Sequence, residues 1–314
     1  MTAGSEPRAA TSAVVVCTYS FDRLGDLEAC LDALERQERR PDQTIVVVDH
    51  NPELAASLRS TVVTLPNAGQ RGLSAARNTG VAATDAELIA FIDDDAVAEP
   101  DWLGELLRPF DEPSVAAVGG RIEPNWPQDR PHWFPPHLDW TVGCTNPGLP
   151  EEGGPIRNVF GASAAFRRSA LVEVGCFPIE MGRVGANLAG CEETHVCITI
   201  RQTANGEVVY APRSVVHHRV TPSRARIGYV LHRCIAEGRS KARLADRVGG
   251  TDAMADERDY AVDMVRAVVG DVLSGWRQPH RLGRAVVLIV GLAGASLGYA
   301  IERIRITGMS HRWG

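Results

Sequence analysis

Along the first half of the chain, short apolar runs alternate with stretches in which apolar residues recur every three or four positions. Residues 11–17 (TSAVVVC) are β-branched and apolar, and Leu24, Leu27, Leu31 and Leu34 then recur at helical spacing among charged residues. That pattern predicts a strand followed by an amphipathic helix. Residues 44–48 (TIVVV) predict the next strand, stopped by the turn-formers Asp49, His50, Asn51 and Pro52. Residues 61–65 and 88–92 predict two more, with a small-residue helix over 73–83 between them. Strands of this length separated by helices of about ten residues are βαβ units, hence a mostly parallel sheet covered on both faces, with ligands beyond the carboxyl ends of its strands.

Residues 123–155 are rich in Pro, Trp and His and lack either period, so they predict a long loop along the site. Its Trp126, Trp133, Phe134 and Trp140 could stack on a sugar or anchor the loop. Beyond it, 158–167 predicts a strand, 169–174 a short helix, 192–202 a longer helix, and 207–210 and 214–220 two closing strands. From residue 222 the pattern is helical.

Chemistry concentrates at the predicted strand ends. Asp93, Asp94 and Asp95 follow an apolar strand, where packing gives no reason to gather three repelling charges. Residues two apart in an extended chain point the same way, so Asp93 and Asp95 can share one hard divalent cation. A solvated acidic turn capping the next helix would look the same in isolation. Three further motifs occur at strand ends in order: CTYSFDR (17–23), VVDHNP (47–52) and GLSAARNTG (72–80).

Together with FIDDDA (91–96), these motifs resemble family 2 glycosyltransferases of the GT-A fold, over residues 12–220. The resemblance implies an α/β fold with a Rossmann-like, mostly parallel sheet and flanking helices, followed by a helical C-terminal region. It implies that Thr18, Tyr19 and Asp49 meet the base and ribose of a nucleotide-sugar donor. Arg71, Ser74 and Arg77 would approach its phosphates or sugar, and Arg23, Asn78 and Asp94 would complete the donor set. Asp93 and Asp95 would hold Mg²⁺ or Mn²⁺. Arg77 has a second reading, as a simple partner of the acidic triplet.

By the same resemblance, Glu193 takes the proton of the acceptor hydroxyl, and the configuration at the anomeric carbon inverts. Family members carry a Glu-Asp pair here, and Glu192-Glu193 departs from it, leaving both residues as candidates for the base; Glu192 is also placed at the acceptor. First-turn capping by the helix dipole is the competing explanation. Gly161 and Ala162, in NVFGASAAF (158–166), would let the acceptor approach closely. Residues 215–219 resemble the closing strand that in many GT-A enzymes brings a histidine to the metal or diphosphate. Neighbours on a strand point to opposite faces, so only one of His217 and His218 can face the site, His218 being the preferred one and an exposed surface histidine the alternative.

Charge and composition then refine the picture. The chain has 314 residues and a formal charge of −6, which disfavours a sequence-independent nucleic-acid binder. Seven scattered cysteines without a CxxC pair suggest neither a disulfide framework nor a zinc site, and with a polar N-terminus they predict a cytoplasmic protein. The −6 is unevenly spread: residues 213–247 hold nine basic and two acidic residues. That stretch suits an anionic membrane surface or the phosphate of a lipid-linked acceptor. Downstream, 285–301 is an uncharged run of 17 residues flanked by arginines, about 25 Å as a helix and close to the minimum for a membrane span. Gly294 and Gly298 give it a GxxxG spacing. It reads as a membrane anchor at the inner face of the cell membrane, as a helix packed on the catalytic domain, or as a homodimer interface.

The expected organisation is a tail over 1–11, a catalytic domain over 12–222, a basic then acidic helical region over 223–280, and a hydrophobic helix and tail over 281–314. The expected activity is transfer of a sugar from a UDP- or GDP-sugar to a hydroxyl of a lipid-linked or glycan acceptor. A sugar-nucleotide nucleotidyltransferase would need a glycine-rich loop after the first strand, which CTYSFDR lacks. An inactive carbohydrate- or lipid-binding module is the other alternative.

Overall fold

The computed structural model describes residues 10–58, 62–185, 187–253 and 257–310. Most of the predicted residues 1–11, together with Thr61 and the last four of the tail, lie outside them. The strands are β1 (Ser12–Thr18), β2 (Gln43–Val48), β3 (Val63–Pro66), β4 (Leu88–Asp93), β5 (Ala96–Ala98), β6 (Val115–Asn125), β7 (Gly154–Pro155), β8 (Ser163–Arg167) and β9 (Glu207–Arg219). The helices are α1 (Leu24–Glu35), α2 (Pro52–Ser57), α3 (Leu73–Ala82), α4 (Trp102–Leu107), α5 (Arg168–Glu173), α6 (Glu192–Thr203), α7 (Ile227–Val248), α8 (Gly250–Ala253), α9 (Glu257–Ser274) and α10 (His280–Ser310).

They build one sheet in the order β3-β2-β1-β4-β8-β6-β9-β5, with β7 on β9. Strands β3, β2, β1 and β4 are parallel, β8 runs against both its neighbours, and β6 and β9 are again parallel. Alternation along each strand divides the core. Val14 and Val16 face α1 and α4 with Leu27, Leu31 and Trp102, whereas Val15 faces α3, α5 and α6 with Val81, Leu171 and Val196. Val230 of α7 and Val287 and Leu288 of α10 extend the first of these clusters.

Three sequence expectations change. The strand β6 is central yet was absent from the predicted pattern, because its VAAVGG run offers small residues in place of β-branched ones. It also claims residues 123–125 from the expected loop. The predicted strand over 158–167 begins only at Ser163. The two closing strands are one, β9, whose register jumps between Ala211 and Val215 opposite Gly120 and Arg121. Pro212, which has no N–H to give a ladder, falls within that bulge.

The aromatic loop anchors to the C-terminal helices. Trp140 Nε1 donates to Tyr260 Oη at 2.8 Å, that hydroxyl donates to the His137 carbonyl at 2.7 Å, and the Arg233 guanidinium lies 5.3 Å from the Trp140 ring centre. Phe134 is buried, and Arg130 pairs with both oxygens of Asp139 at 2.6 and 2.8 Å.

The GxxxG spacing also finds its partner inside the chain. Gly298 lies against the Ile235 carbonyl, Gly294 against Ile235 and Cys234, and Gly238 of α7 against the Ala295 carbonyl. A methyl group at 238 or 298 would meet those carbonyls, so α7 and α10 approach as closely as small residues permit. The opposite face of α10 is exposed, with Val286, Ile289, Leu297 and Ile304 on the surface. It adjoins exposed Val265, Val269 and Leu273 of α9, and an apolar groove of about 410 Å³ runs between the two helices. Residues 280–308 are long and apolar enough to cross a membrane by length and composition.

Candidate active site

The carboxyl ends of β1, β2 and β4 open on one cavity of about 710 Å³. Asp93 ends β4, and Asp94 and Asp95 form the turn into β5. That turn is pinned from β9, where the Arg219 N–H donates to the Asp95 carbonyl at 2.8 Å and Ala96 pairs with His218. His218 is buried, with Nε2 at 3.1 Å from Asp95 Oδ1 and 4.0 Å from Asp93 Oδ2. Its ring packs against Gly143, whose φ of +90° and missing side chain leave it the space. His217 points the other way, to Glu99 at 2.6 Å. Asp93, Asp95 and His218 therefore offer two carboxylates and an imidazole whose ligand atoms lie within 4.8 Å of one another.

This donor set fits a hard divalent cation with one nitrogen ligand, as Mn²⁺ or Mg²⁺ would accept. The ring's other nitrogen, His218 Nδ1, has no hydrogen-bond partner among the described residues. Burial alone would raise the Asp95 carboxyl, yet His218, Arg23 and Arg224 hold it below the usual range. Burial dominates at Asp94, and with the Asp95 charge it outweighs Arg23 and pushes the carboxyl up to about 6. Arg23 itself sits at 2.5 Å from Asp94 and 3.3 Å from Asp95, and over the Tyr19 ring.

Asp49 organises the adjoining wall. Its carboxylate accepts from Asn67 Nδ2 at 2.6 Å and from the Gly72 N–H at 2.9 Å, which fixes the turn that leads into α3. Thr18, Tyr19, Arg23, Asp49, Arg71 and the three consecutive aspartates all line the cavity.

Three residues of the expected donor set do not line the cavity. Asn78 spends both amide atoms on the Phe177 backbone, at 2.8 and 3.0 Å, and does not line the cavity. Ser74 is buried under Gly182, whose α-carbon could carry no methyl group there. Arg77 is buried between carboxylates: its Nη1 donates to Glu193 at 2.8 Å and lies 3.4 Å from Glu192, and its Nη2 is 3.7 Å from Asp93. It joins the metal-type cluster to the start of α6, which is more than pairing with the acidic triplet.

Glu192 and Glu193 open α6, where the helix dipole favours negative charge. Cys191 precedes them in the left-handed region with φ +73°. Glu192 is buried, and burial followed by the Glu193 charge pushes its carboxyl up to about 8 despite Arg77. Glu193 keeps 16% of its side chain exposed. Gly161 lies directly on this pair, because a side chain there would occupy the space of Arg77 Nη2 and Glu193 Oε1. Ala162, by contrast, belongs to the core. None of Trp126, Trp133 and Trp140 lines the cavity.

Sequence reasoning missed the cavity's other wall, made by Arg183, Asn187 and Leu188 before α6 and by Ser223, Arg224 and Tyr229 where β9 leads into α7. The available signals were a lone arginine between Gly182 and Gly185, and Arg224 standing six residues after His218.

Comparisons with known proteins bear on the family and the fold. The sequence profile of glycosyl transferase family 2 matches residues 13–175. The glucosyl-dolichyl phosphate glucuronosyltransferase of Haloferax volcanii is 30% identical over 296 residues, 91% of this chain and 94% of that protein. The succinoglycan biosynthesis protein ExoM of Rhizobium meliloti is 27% identical over 238 residues, covering 73% of each chain. Among solved structures, the mannosyltransferase PcManGT from Pyrobaculum calidifontis, in complex with GDP-Man and Mn²⁺, superposes with a TM-score of 0.59 at 16% identity, over 93% of this chain and 86% of that one. The fold is the expected GT-A type.

Proposed function

The chain belongs to glycosyl transferase family 2, and from that premise we propose that it transfers a sugar, with inversion, from a UDP- or GDP-sugar to a hydroxyl of a lipid-linked or glycan acceptor. The observation that carries this reading is the shared opening of Asp93 and Asp95, backed by the buried His218, with Thr18, Asp49 and Arg71 on one cavity, with Glu193 one guanidinium away. Asp93, Asp95 and His218 would hold Mg²⁺ or Mn²⁺, which would supply charge stabilisation for the departing nucleoside diphosphate. The Asp49 carboxylate, fixed by Asn67 and Gly72, would orient the ribose. PcManGT, of the same fold, was solved with GDP-Man and Mn²⁺.

Glu193 would act as the general base. Burial and the Glu193 charge favour the protonated form of Glu192, which is nearly sealed from solvent, whereas Glu193 is partly exposed. Arg77, bonded to Glu193 and facing Asp93, would hold base and metal site at a fixed separation. Gly161 leaves that pair uncovered by a side chain.

The acceptor reading draws on the relative from Haloferax volcanii, named for a dolichyl phosphate substrate, and on the exposed apolar face of α9 and α10. That face, with Arg281, Arg284, Arg303 and Arg305 along α10, would lie on the inner surface of the cell membrane as an in-plane helix pair. The test is release of nucleoside diphosphate from a panel of UDP- and GDP-sugars with Mn²⁺, Mg²⁺ or EDTA, using dolichyl phosphate glucose as acceptor. Release and transfer that require a divalent ion support the reading, and metal-independent turnover would overturn it.

A further inference from the structure

The two walls of the cavity differ in charge. Among the described residues, the carboxylates that line it, Asp49 and Asp93 to Asp95, come from the strand ends. The opposite wall contributes two guanidiniums, Arg183 and Arg224, with Tyr229 and no acid.

Most cations around the cavity have partners. Arg23 holds Asp94, and Arg224 faces Asp95 at 3.7 Å. Arg233, just behind the wall, pairs with Glu237 at 2.9 Å. On this wall Arg183 is the exception: its side chain has no hydrogen bond or ion pair among the described residues, as is also true of Arg71 on the strand-end wall. Burial, then the charges of Arg233 and Arg224, disfavour its protonated form. A guanidinium held half-buried among like charges is costly unless an anion joins it. Its backbone is fixed, since the Arg183 carbonyl accepts the Leu73 N–H at 2.9 Å at the start of α3 and packs on Gly72. The position is therefore set by the fold.

We propose that Arg183, with Tyr229, forms a phosphate subsite for the acceptor, distinct from the place of the donor's diphosphate. This rests on the transferase reading and narrows it: the acceptor carries a phosphate, as a polyprenyl phosphate sugar does. Two features assign the site to the acceptor. The donor's charges are met on the wall of Asp93, Asp95 and Arg71, and the Arg183 wall leads on one side to Glu192 and Glu193 and on the other into α7. Helix α7 in turn packs on α10, whose outer face is apolar, so a lipid phosphate in this subsite has an apolar surface on the neighbouring helices. A planar guanidinium suits a phosphate because it can give two parallel hydrogen bonds.

The test is calorimetric binding to the intact chain of citronellyl phosphate, citronellol, and UDP or GDP with Mn²⁺, for wild type, Arg183→Ala and Arg183→Gln. The subsite predicts that citronellyl phosphate binds and citronellol does not. It also predicts that both substitutions weaken citronellyl phosphate at least tenfold while nucleotide affinity stays within twofold. Arg183→Gln preserves side-chain bulk, so unchanged melting temperature in that variant separates lost binding from lost folding. Equal weakening of the nucleotide would assign Arg183 to the donor and overturn the proposal. Binding of the alcohol as tight as that of the phosphate, no binding of the phosphate to wild type, or no effect of either substitution would also overturn it. Nucleotide that fails to bind at all would contradict the transferase reading alone, because the citronellyl phosphate arm is read without nucleotide.

Discussion

The carboxyl edge of the sheet and the C-terminal helix pair depart from ordinary burial in opposite directions. At the sheet edge, Asp94, Asp95, Glu192, Arg77 and His218 are buried together, where charge is expensive. On α9 and α10, Val265, Ile289, Leu273 and Leu297 are exposed, where apolar surface is wasted on water. A chain selected only to fold would exchange these placements. Each departure is also compensated locally, by Arg77, Arg23 and Arg224 in the first region and by the tight glycine contact of α7 with α10 in the second. The difference is that the first region gathers charge around a cavity and the second leaves an apolar face uncovered.

The comparison breaks most sharply at the metal-type cluster. Asp95→Ala removes the acid that His218, Arg23 and Arg224 share, and transfer is expected to fall by about 10³-fold or more, read as nucleoside diphosphate release under saturating Mn²⁺. Glu193→Gln is expected to lose about 10²- to 10⁴-fold in turnover with nucleotide affinity unchanged, whereas Glu193→Asp, which restores the family's shorter acid, keeps part of it. Arg77→Ala uncovers three carboxylates at once and should cost about 3–5 kcal/mol by denaturant titration.

The second region answers to a different readout. Ile289→Asp combined with Val269→Asp is expected to reduce sedimentation with anionic vesicles several-fold and to leave nucleotide binding and melting temperature close to wild type. Gly298→Leu, on the packed face of the same helix, should lower the melting temperature instead, because Ile235 leaves no room for a side chain. Equal vesicle binding by the double variant would remove the membrane from the account and leave the packing of α10 as its role.

The smallest effect concerns pH. Glu192 is raised from the ordinary carboxylate range to about 8, so the folded chain holds a proton that the unfolded chain has lost. Its favourable contribution is complete below the unfolded pKa and is lost as pH rises through the folded one, which makes stability fall between about pH 5 and 8. Glu192→Gln removes that dependence, and its melting temperature should gain about 2–4 °C on wild type at pH 8 compared with pH 5.

The parts of this account that could be read from sequence are those in which short segments carry the signal together. Three aspartates after LIAFI point to a candidate site once Asp49 and Thr18 stand at equally visible strand ends. The β6 strand was not legible because alanine and glycine carry little β signal, and its place depends on pairing with β8 and β9. The use of Arg77 was not legible either, since its partners lie 115 and 116 positions away. For Arg183, isolation among cations is a property of the folded wall, which a lone arginine in a loop does not reveal. The GxxxG spacing announced a close helix contact but could not say that the partner is α7.

The most direct test of the central claim is calorimetric titration of UDP and GDP into wild type and Asp95→Asn, each with Mn²⁺ and with EDTA. The account predicts that at least one nucleotide binds the wild type in Mn²⁺ at least tenfold more tightly than in EDTA, and that Asp95→Asn abolishes the difference. Affinity that is the same in all four conditions would contradict it.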